Sequence, residues 1–341
     1  MLALGLACLR TDGVRSGCTP ECRTGSEYEE PIGAIPAMIS VIICTYRRAP
    51  ILRRTLGRLQ ELYGGARDWE LIVVDNADDP ATDALIREFQ DRLPARRVVE
   101  PVAGVARARN RGWREAKHAL LAYLDDDCLP APQWLGRIRG FFAGESAASA
   151  GMLGGRVHLL WEVERPEWLT DEFTGYLSRI DWGDALFRIA DETQWVGEGN
   201  MAILRERLEA VDGFPEGLGR KGTRLLSHEG NGLRRRLEAR GWATWYDGAM
   251  EVHHIVFEER VRSQGWLRSR VFWAGVSDAA LVTQGQSRSE CLRAARKYFF
   301  YSVRTRWLVD FLPLPGCGLR MDRACAARFK LGYLMGLCGY R

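Results

Sequence analysis

The chain has 341 residues, 46% of them hydrophobic and 27% charged, with a formal net charge of +4. That length and apolar content suit a globular protein of one large domain with an appendage, or of two domains. The charge is unevenly placed: residues 256–341 carry 15 Lys/Arg against 6 Asp/Glu, and the remainder carries 33 against 38. No run reaches the roughly 18 consecutive apolar residues that a membrane-spanning helix needs.

Nine cysteines, an odd number, lie without metal-type or framework spacing, which fits reduced thiols in a cytoplasm. The opening MLALGLACLR has an apolar run but no basic region before it and no clear small-residue cleavage site. Residues 1–36 therefore read as a disordered leader or a misassigned start, with a short signal peptide as the lesser alternative.

From MISVIICTY (38–46) onward, short β-branched runs alternate with helical patterns: ILRRTLGRLQELY, ELIVVDN, ATDALIREFQDRL, RRVVE, GVARARNRGWREAKHA and LLAYLDD. This alternation predicts βαβ units and an α/β fold with a mostly parallel sheet. Ligands of open α/β sheets bind at the carboxyl ends of the strands. Thr45, Tyr46 and Arg47, then Asp75 and Asn76, then Asp125, Asp126 and Asp127 stand at those ends and are expected to face one crevice. A dinucleotide site would need a Gly-x-Gly-x-x-Gly after the first strand, but CTYRRAP has no glycine and no P-loop follows. Arg107, Arg109 and Arg111 open the next helix, where bidentate phosphate contacts and the helix N-terminus favour an anion; a solvated basic face is the plain alternative.

The three consecutive aspartates pose their own problem. Adjacent carboxylates repel and resist desolvation, so they need either a cation or a set of strong donors. A solvated acidic turn closed by Pro130 is the simpler possibility.

Taken together, SVIICTYRR, ELIVVDNA, GVARARNRG, LLAYLDDDCLP and GEGNMAILRERLEAVDGFPEGLG resemble the family 2 glycosyltransferases with the GT-A fold, over roughly residues 38–255. The resemblance implies a metal-dependent, inverting transfer of one sugar from a nucleoside-diphosphate sugar, most simply a UDP-sugar, to a glycan, lipid-linked or small-molecule hydroxyl. It implies that Asp75 meets the nucleobase beside Asn76, and that Thr45, Tyr46 and Arg47 pack round the nucleoside. Arg109 and Asn110 then lie near the ribose and diphosphate, with Gly199 and Asn200 also lining the donor site. Asp125 and Asp127 correspond to the carboxylates of the Asp-x-Asp motif around Asp126, with Asp127 the more direct ligand of Mn²⁺ or Mg²⁺. Hard cations of this kind prefer oxygen ligands and are commonly completed by substrate phosphates.

Two positions depart from the family pattern. In LLSHEGNGLRRRLEARGW, Glu229 is followed by Gly230 where a second acidic residue is usual, so Glu229 becomes the candidate general base. His254, in WYDGAMEVHHIV, matches a position that ligates the metal in some relatives, or else it is a core or surface histidine. The Trp- and acid-rich stretch 156–198 is open between acceptor stacking and ordinary packing.

The expected organisation is a leader (1–36), a GT-A domain (37–255) and a basic, aromatic-rich helical extension (256–341). That extension either packs on the domain or also touches an anionic membrane surface, the chain otherwise being cytoplasmic; no nucleic-acid module appears. The expected setting is cell-envelope or polysaccharide biosynthesis. Two alternatives carry different chemistry. A sugar-nucleotide nucleotidyltransferase would need a Gly-rich loop after the first strand, and a non-catalytic nucleotide-sugar binder is kept open by the Glu229–Gly230 departure.

Overall fold

A computed structural model describes residues 38–222, 224–304 and 321–341; the expected leader, 1–36, lies outside the described residues. The first half alternates as its sequence predicts: β1 (Ile39–Thr45), α1 (Ala49–Tyr63), β2 (Trp69–Asp75), α2 (Pro80–Phe89), β3 (Ala95–Val99), α3 (Val105–Glu115) and β4 (Leu120–Asp125). β2 is buried at every position, as expected of a parallel strand covered on both faces. Asp79 caps α2 by accepting from the Ala81 amide, and Pro80 follows it, a pairing that starts helices because neither residue needs the missing intrahelical bond.

The second half adds β5 (Cys128–Pro130), α4 (Trp134–Phe142), β6 (Ala150–Trp161), β7 (Leu186–Arg188), β8 (Asn200–Leu204), α5 (Arg205–Ala210), α6 (Glu229–Glu238) and β9 (Ala243–Val256). All nine strands form one sheet in the order β3-β2-β1-β4-β8-β6-β9-β5, with β7 paired to β9. β1 to β4, β6 and β9 run in one direction, while β5, β7 and β8 oppose them. The sheet is thus mostly parallel, as the sequence predicts.

Successive side chains of β1 enter two cores. Val41 and Ile43 share one core with Leu52 and Leu56 of α1, Ile86 of α2 and Trp134 of α4, whereas Ile42 shares the other with Ala108 of α3 and Leu233 of α6. Gly112 lets α3 press onto the sheet, since a Cβ there would stand 2.4 Å from Ile42 Cγ2.

After β9 the described chain is helical: α7 (Glu258–Val261), α8 (Gln264–Val282), α9 (Arg288–Arg304) and α10 (Met321–Leu337). Among the described residues, no helix is long and apolar enough to cross a membrane. α8 and α10 touch backbone to backbone through small residues, because a Cβ on Gly275 would lie 2.1 Å from the Phe329 carbonyl and one on Gly332 would lie 2.0 Å from the Phe272 carbonyl. The Trp-rich stretch serves packing: Leu169, Phe173, Trp161 and Trp168 join Val261, Leu267 and Val271 in one cluster.

Because the obstacle at Gly332 is backbone, Gly332→Ala is expected to force α8 and α10 apart and cost about 1–3 kcal/mol, the usual scale of overpacking. A lowered unfolding midpoint with faster proteolysis in α10 checks this; an unchanged midpoint would refute the close approach.

Candidate active site

Parallel register brings the strand ends together. Thr45 pairs with Asp75 across β1 and β2, and Cys44 pairs with Asp125 across β1 and β4. Tyr46 stands exposed beyond β1 with the Arg47 guanidinium 5.5 Å from its ring centroid. Arg47 itself sits at φ 53°, a left-handed conformation that costs a non-glycine residue energy and is often kept at functional sites.

The aspartate run is held by donors from three separate segments. Thr45 Oγ1 donates to Asp126 Oδ2 at 2.8 Å. Arg48, just before α1, bridges the run with 2.6 Å to Asp126 and 2.8 Å to Asp127. Arg260 of α7 donates to Asp127 Oδ2 at 2.9 Å. Burial pushes the Asp126 carboxyl up to about 7 even against Arg48 and Thr45. Burial also opposes charge on Asp127, but His254, Arg260 and Arg48 together hold it well below the ordinary carboxylate range. Asp125 remains more open, its side chain 41% exposed.

A second carboxylate group lies across the crevice. Arg109 of α3, almost wholly buried, donates to Glu229 Oε1 at 2.6 Å and to Asp125 Oδ1 at 3.1 Å. Burial disfavours its charge, yet Glu229, Asp125 and Glu198 raise its pKa above the ordinary value. Glu229 opens α6 and is 6% exposed. Gly230 follows, and a Cβ built on it would lie 1.8 Å from Glu198 Oε1. The Glu198 carboxylate thus fills the volume a side chain at 230 would take. Burial first, and then the charge of Glu229, push the Glu198 carboxyl up to about 7 against the pull of Arg109.

Several expected donor-site residues stand behind this surface and shape it. Asn76 ties the turn before α3, donating to the carbonyls of Glu100 and Val102 and accepting from the Gly104 amide, each at 2.8 Å. Asn110 clasps Phe214 through both its amide and carbonyl at 2.9 Å. Asn200, fully buried, donates to the carbonyls of Arg156 and Met250 and accepts from Trp134 Nε1 at 2.8 Å. Gly199 packs against the aspartates directly, since a Cβ there would fall 2.5 Å from Asp125 Oδ2. Asp75 has no exposed surface; its carboxylate accepts from the amides of Ala77 and Asp79 and from Arg97 at 2.6 Å.

The donor atoms suit a hard cation. Ligand atoms of Asp125, Asp127 and Cys128 lie within 4.8 Å of one another. The Cys128 thiol is pushed well up by burial and by the aspartates, which leaves the oxygens as the effective ligands. His254 Nε2 lies 3.4 Å from Asp127 Oδ1 and 3.1 Å from the Arg260 guanidinium. The buried His254 Nδ1 has no hydrogen-bond partner among the described residues.

Four side chains of this site were not singled out from the sequence. Arg48 adjoins the quoted Thr45–Arg47 stretch, and Glu198 precedes Gly199, so proximity along the chain was a usable signal for both. Arg260 and Arg270 come from the helical extension and had none. Arg270 lies near Glu229 and Glu198, and burial followed by its neighbour Arg220 lowers its pKa to about 10.

Comparison with known proteins agrees with this layout. The model of the glycosyl transferase family 2 matches residues 40–205. Validoxylamine A glucosyltransferase from Streptomyces hygroscopicus subsp. jinggangensis is 38% identical over 113 residues, 33% of this chain. The chain spans about a quarter of the length of that relative, 27%. The succinoglycan biosynthesis protein ExoM from Rhizobium meliloti is 26% identical over 311 residues, which cover 89% of this chain and 94% of ExoM. Among solved structures, a mannosyltransferase from Pyrobaculum calidifontis in complex with GDP-Man and Mn²⁺ has the same fold, with a TM-score of 0.51 at 18% identity over 90% of this chain and 75% of that one. With the sheet order and the strand-end carboxylates described above, these likenesses identify residues 40–205 as a glycosyl transferase family 2 region, on a GT-A fold.

Proposed function

We propose that the chain transfers one sugar from a nucleoside-diphosphate sugar to a hydroxyl acceptor with inversion at the anomeric carbon. The observation that carries this is the meeting of two opposed carboxylate groups, Asp125 to Asp127 on one side and Glu229 with Glu198 on the other, joined by Arg109. One group suits the diphosphate end of a donor, and the other suits the attacking hydroxyl. The Asp75–Arg97 pair, Thr45 and Tyr46 lie where the nucleoside would rest.

Asp125, Asp127 and His254 would hold Mn²⁺ or Mg²⁺. When bound, that ion supplies positive charge to the departing diphosphate. Arg109 and Arg48 orient the carboxylates around it. UDP is the simplest donor nucleotide. The near full-length likeness to a succinoglycan biosynthesis protein supports a polysaccharide setting, and the glucosyltransferase relative supports a hexose donor.

The extension is read as a peripheral membrane contact. α9 turns Ala295 and Tyr298 toward α8 and α10 but leaves Leu292, Phe299 and Phe300 exposed at 51%, 43% and 59%, interleaved with Arg293, Arg296 and Lys297. Aromatics beside cations on one helix suit an anionic lipid surface.

UDP, GDP or dTDP with Mn²⁺ is expected to raise the thermal midpoint, because a ligand at about 100 times its Kd stabilises the native state by roughly 2.7 kcal/mol. Asp127→Ala should abolish the Mn²⁺-dependent part of that shift and nearly all sugar transfer. A parent chain that no nucleotide stabilises and that consumes no nucleotide sugar would sink the reading.

Phe299→Ser combined with Phe300→Ser is expected to reduce co-sedimentation with phosphatidylserine vesicles, and added salt should reduce that of the parent chain because the attraction is screened. Equal recovery of the parent chain with neutral and anionic vesicles would rule out the lipid contact.

A further inference from the structure

The glycine after Glu229 removes an acidic side chain at the start of α6, yet the structure does not leave its place empty. A Cβ on Gly230 would lie 1.8 Å from Glu198 Oε1, 2.4 Å from its Cδ and 2.8 Å from its Cγ. Glu198 therefore occupies that volume along its outer length, reaching it from the turn before β8 instead of from α6. As placed, the Glu198 side chain would have to move to admit a side chain at 230.

We propose that Glu198 is the catalytic base of the sugar transfer and stands in for the missing acidic residue at 230, an inference that rests on the reading above. Glu229 is committed elsewhere: it accepts from Arg109 Nη1 at 2.6 Å, and the same guanidinium reaches Asp125. The Glu229 carboxylate is thus already occupied by a guanidinium. It acts as a positioning residue, holding Arg109 against the aspartates. Among the described residues Glu198 has no such ion pair, and its burial and the neighbouring Glu229 charge move it up to about 7, the range in which a carboxylate takes a proton most effectively at neutral pH.

In the step so assigned, the acceptor oxygen forms a bond to the anomeric carbon from the face opposite the diphosphate. The bond from that carbon to the diphosphate oxygen breaks, and its electron pair leaves with the nucleoside diphosphate. The hydroxyl proton passes to the Glu198 carboxylate. Placement on a turn next to Gly199, which itself packs on Asp125, ties the base to the donor end of the site. A movement of this turn would shift both.

The test measures nucleoside diphosphate release from UDP-, GDP- and dTDP-sugars, with water or an added sugar as acceptor. Glu198→Gln keeps the shape that fills the space beside Gly230 and is expected to lower kcat on the order of 10²–10⁴-fold, the usual range for general base catalysis, with the Mn²⁺–nucleotide thermal shift and KM for the donor unchanged. Glu198→Ala opens the space, and Gly230→Asp added to it is expected to restore at least tenfold of the lost kcat, which a purely structural glutamate would not allow. A parent chain that turns over a donor while Glu198→Gln stays within threefold of it overturns the base assignment and leaves the transferase reading standing. Failure of the Gly230→Asp addition to restore turnover, while that variant still binds Mn²⁺ and nucleotide, also overturns it. A parent chain without donor turnover or nucleotide binding overturns both.

Discussion

Burying carboxylates at the ends of parallel strands is the constraint on which the rest of the site depends. An ionised carboxylate removed from water carries a penalty of several kcal/mol unless a cation or well-aimed donors meet it. Asp126, Asp127 and Glu229 are all nearly inaccessible, and each is met by an arginine from a different part of the chain: Arg48 ahead of α1, Arg260 on α7 and Arg109 on α3. Arginine suits this use because its fixed fork reaches two acceptors at once. Arg48 spans two aspartates and Arg109 spans the two sides of the crevice. The fold must bring those three segments together before the carboxylates can lose their water, so charge compensation and topology are one requirement.

Close backbone approach sets the tolerances. Gly112 lets α3 lie against β1, which carries Arg109 to within reach of Asp125. Gly199 lets the turn before β8 touch Asp125, and Gly230 admits Glu198. Three asparagines do comparable work with hydrogen bonds: Asn76 sets the entry to α3, Asn110 fixes Phe214 against it, and Asn200 joins the broken register of β6 and β9 to α4. The polar groups of all three are spent on the protein. A motif residue can matter because it aims a neighbour.

How far the site was legible follows from the range of each interaction. The βαβ half could be read directly because hydrophobic period and strand-end polarity are local properties, and β1, β2 and β4 fall within a residue or two of the runs that announce them. The Asp125 to Asp127 run was legible as a demand for positive charge, since repulsion between adjacent carboxylates needs no fold to state. What supplies that charge was only half legible. Of the two answers, cation or strong donors, the structure shows the donors, Arg48 and Arg260, and leaves oxygens and an imidazole suited to the cation. Arg260 is separated from Asp127 by 133 positions, and no periodicity encodes such a distance. The exchange of Glu198 for a side chain at 230 was invisible for the same reason: an absence at one position is answered 32 positions earlier, and only the geometry joins them.

The uneven charge of the chain then has a structural meaning beyond solubility. Residues 256–341 are basic, and part of that charge is turned inward. Arg260 reaches Asp127, Arg270 lies near Glu198 and Glu229, and Asp278 of α8 stands 2.6 Å from His228 at the head of α6. The helices after β9 therefore supply counter-charge to carboxylates carried by the sheet, and the aspartate end of the crevice would lose a guanidinium from a nearly inaccessible Asp127 without them. Under the proposed function a donor diphosphate would bring further negative charge to the same place, and the arginines that steady the aspartates would stand nearest to neutralise it. Through Arg260, the way α7 sits on the sheet bears directly on the partners of Asp127.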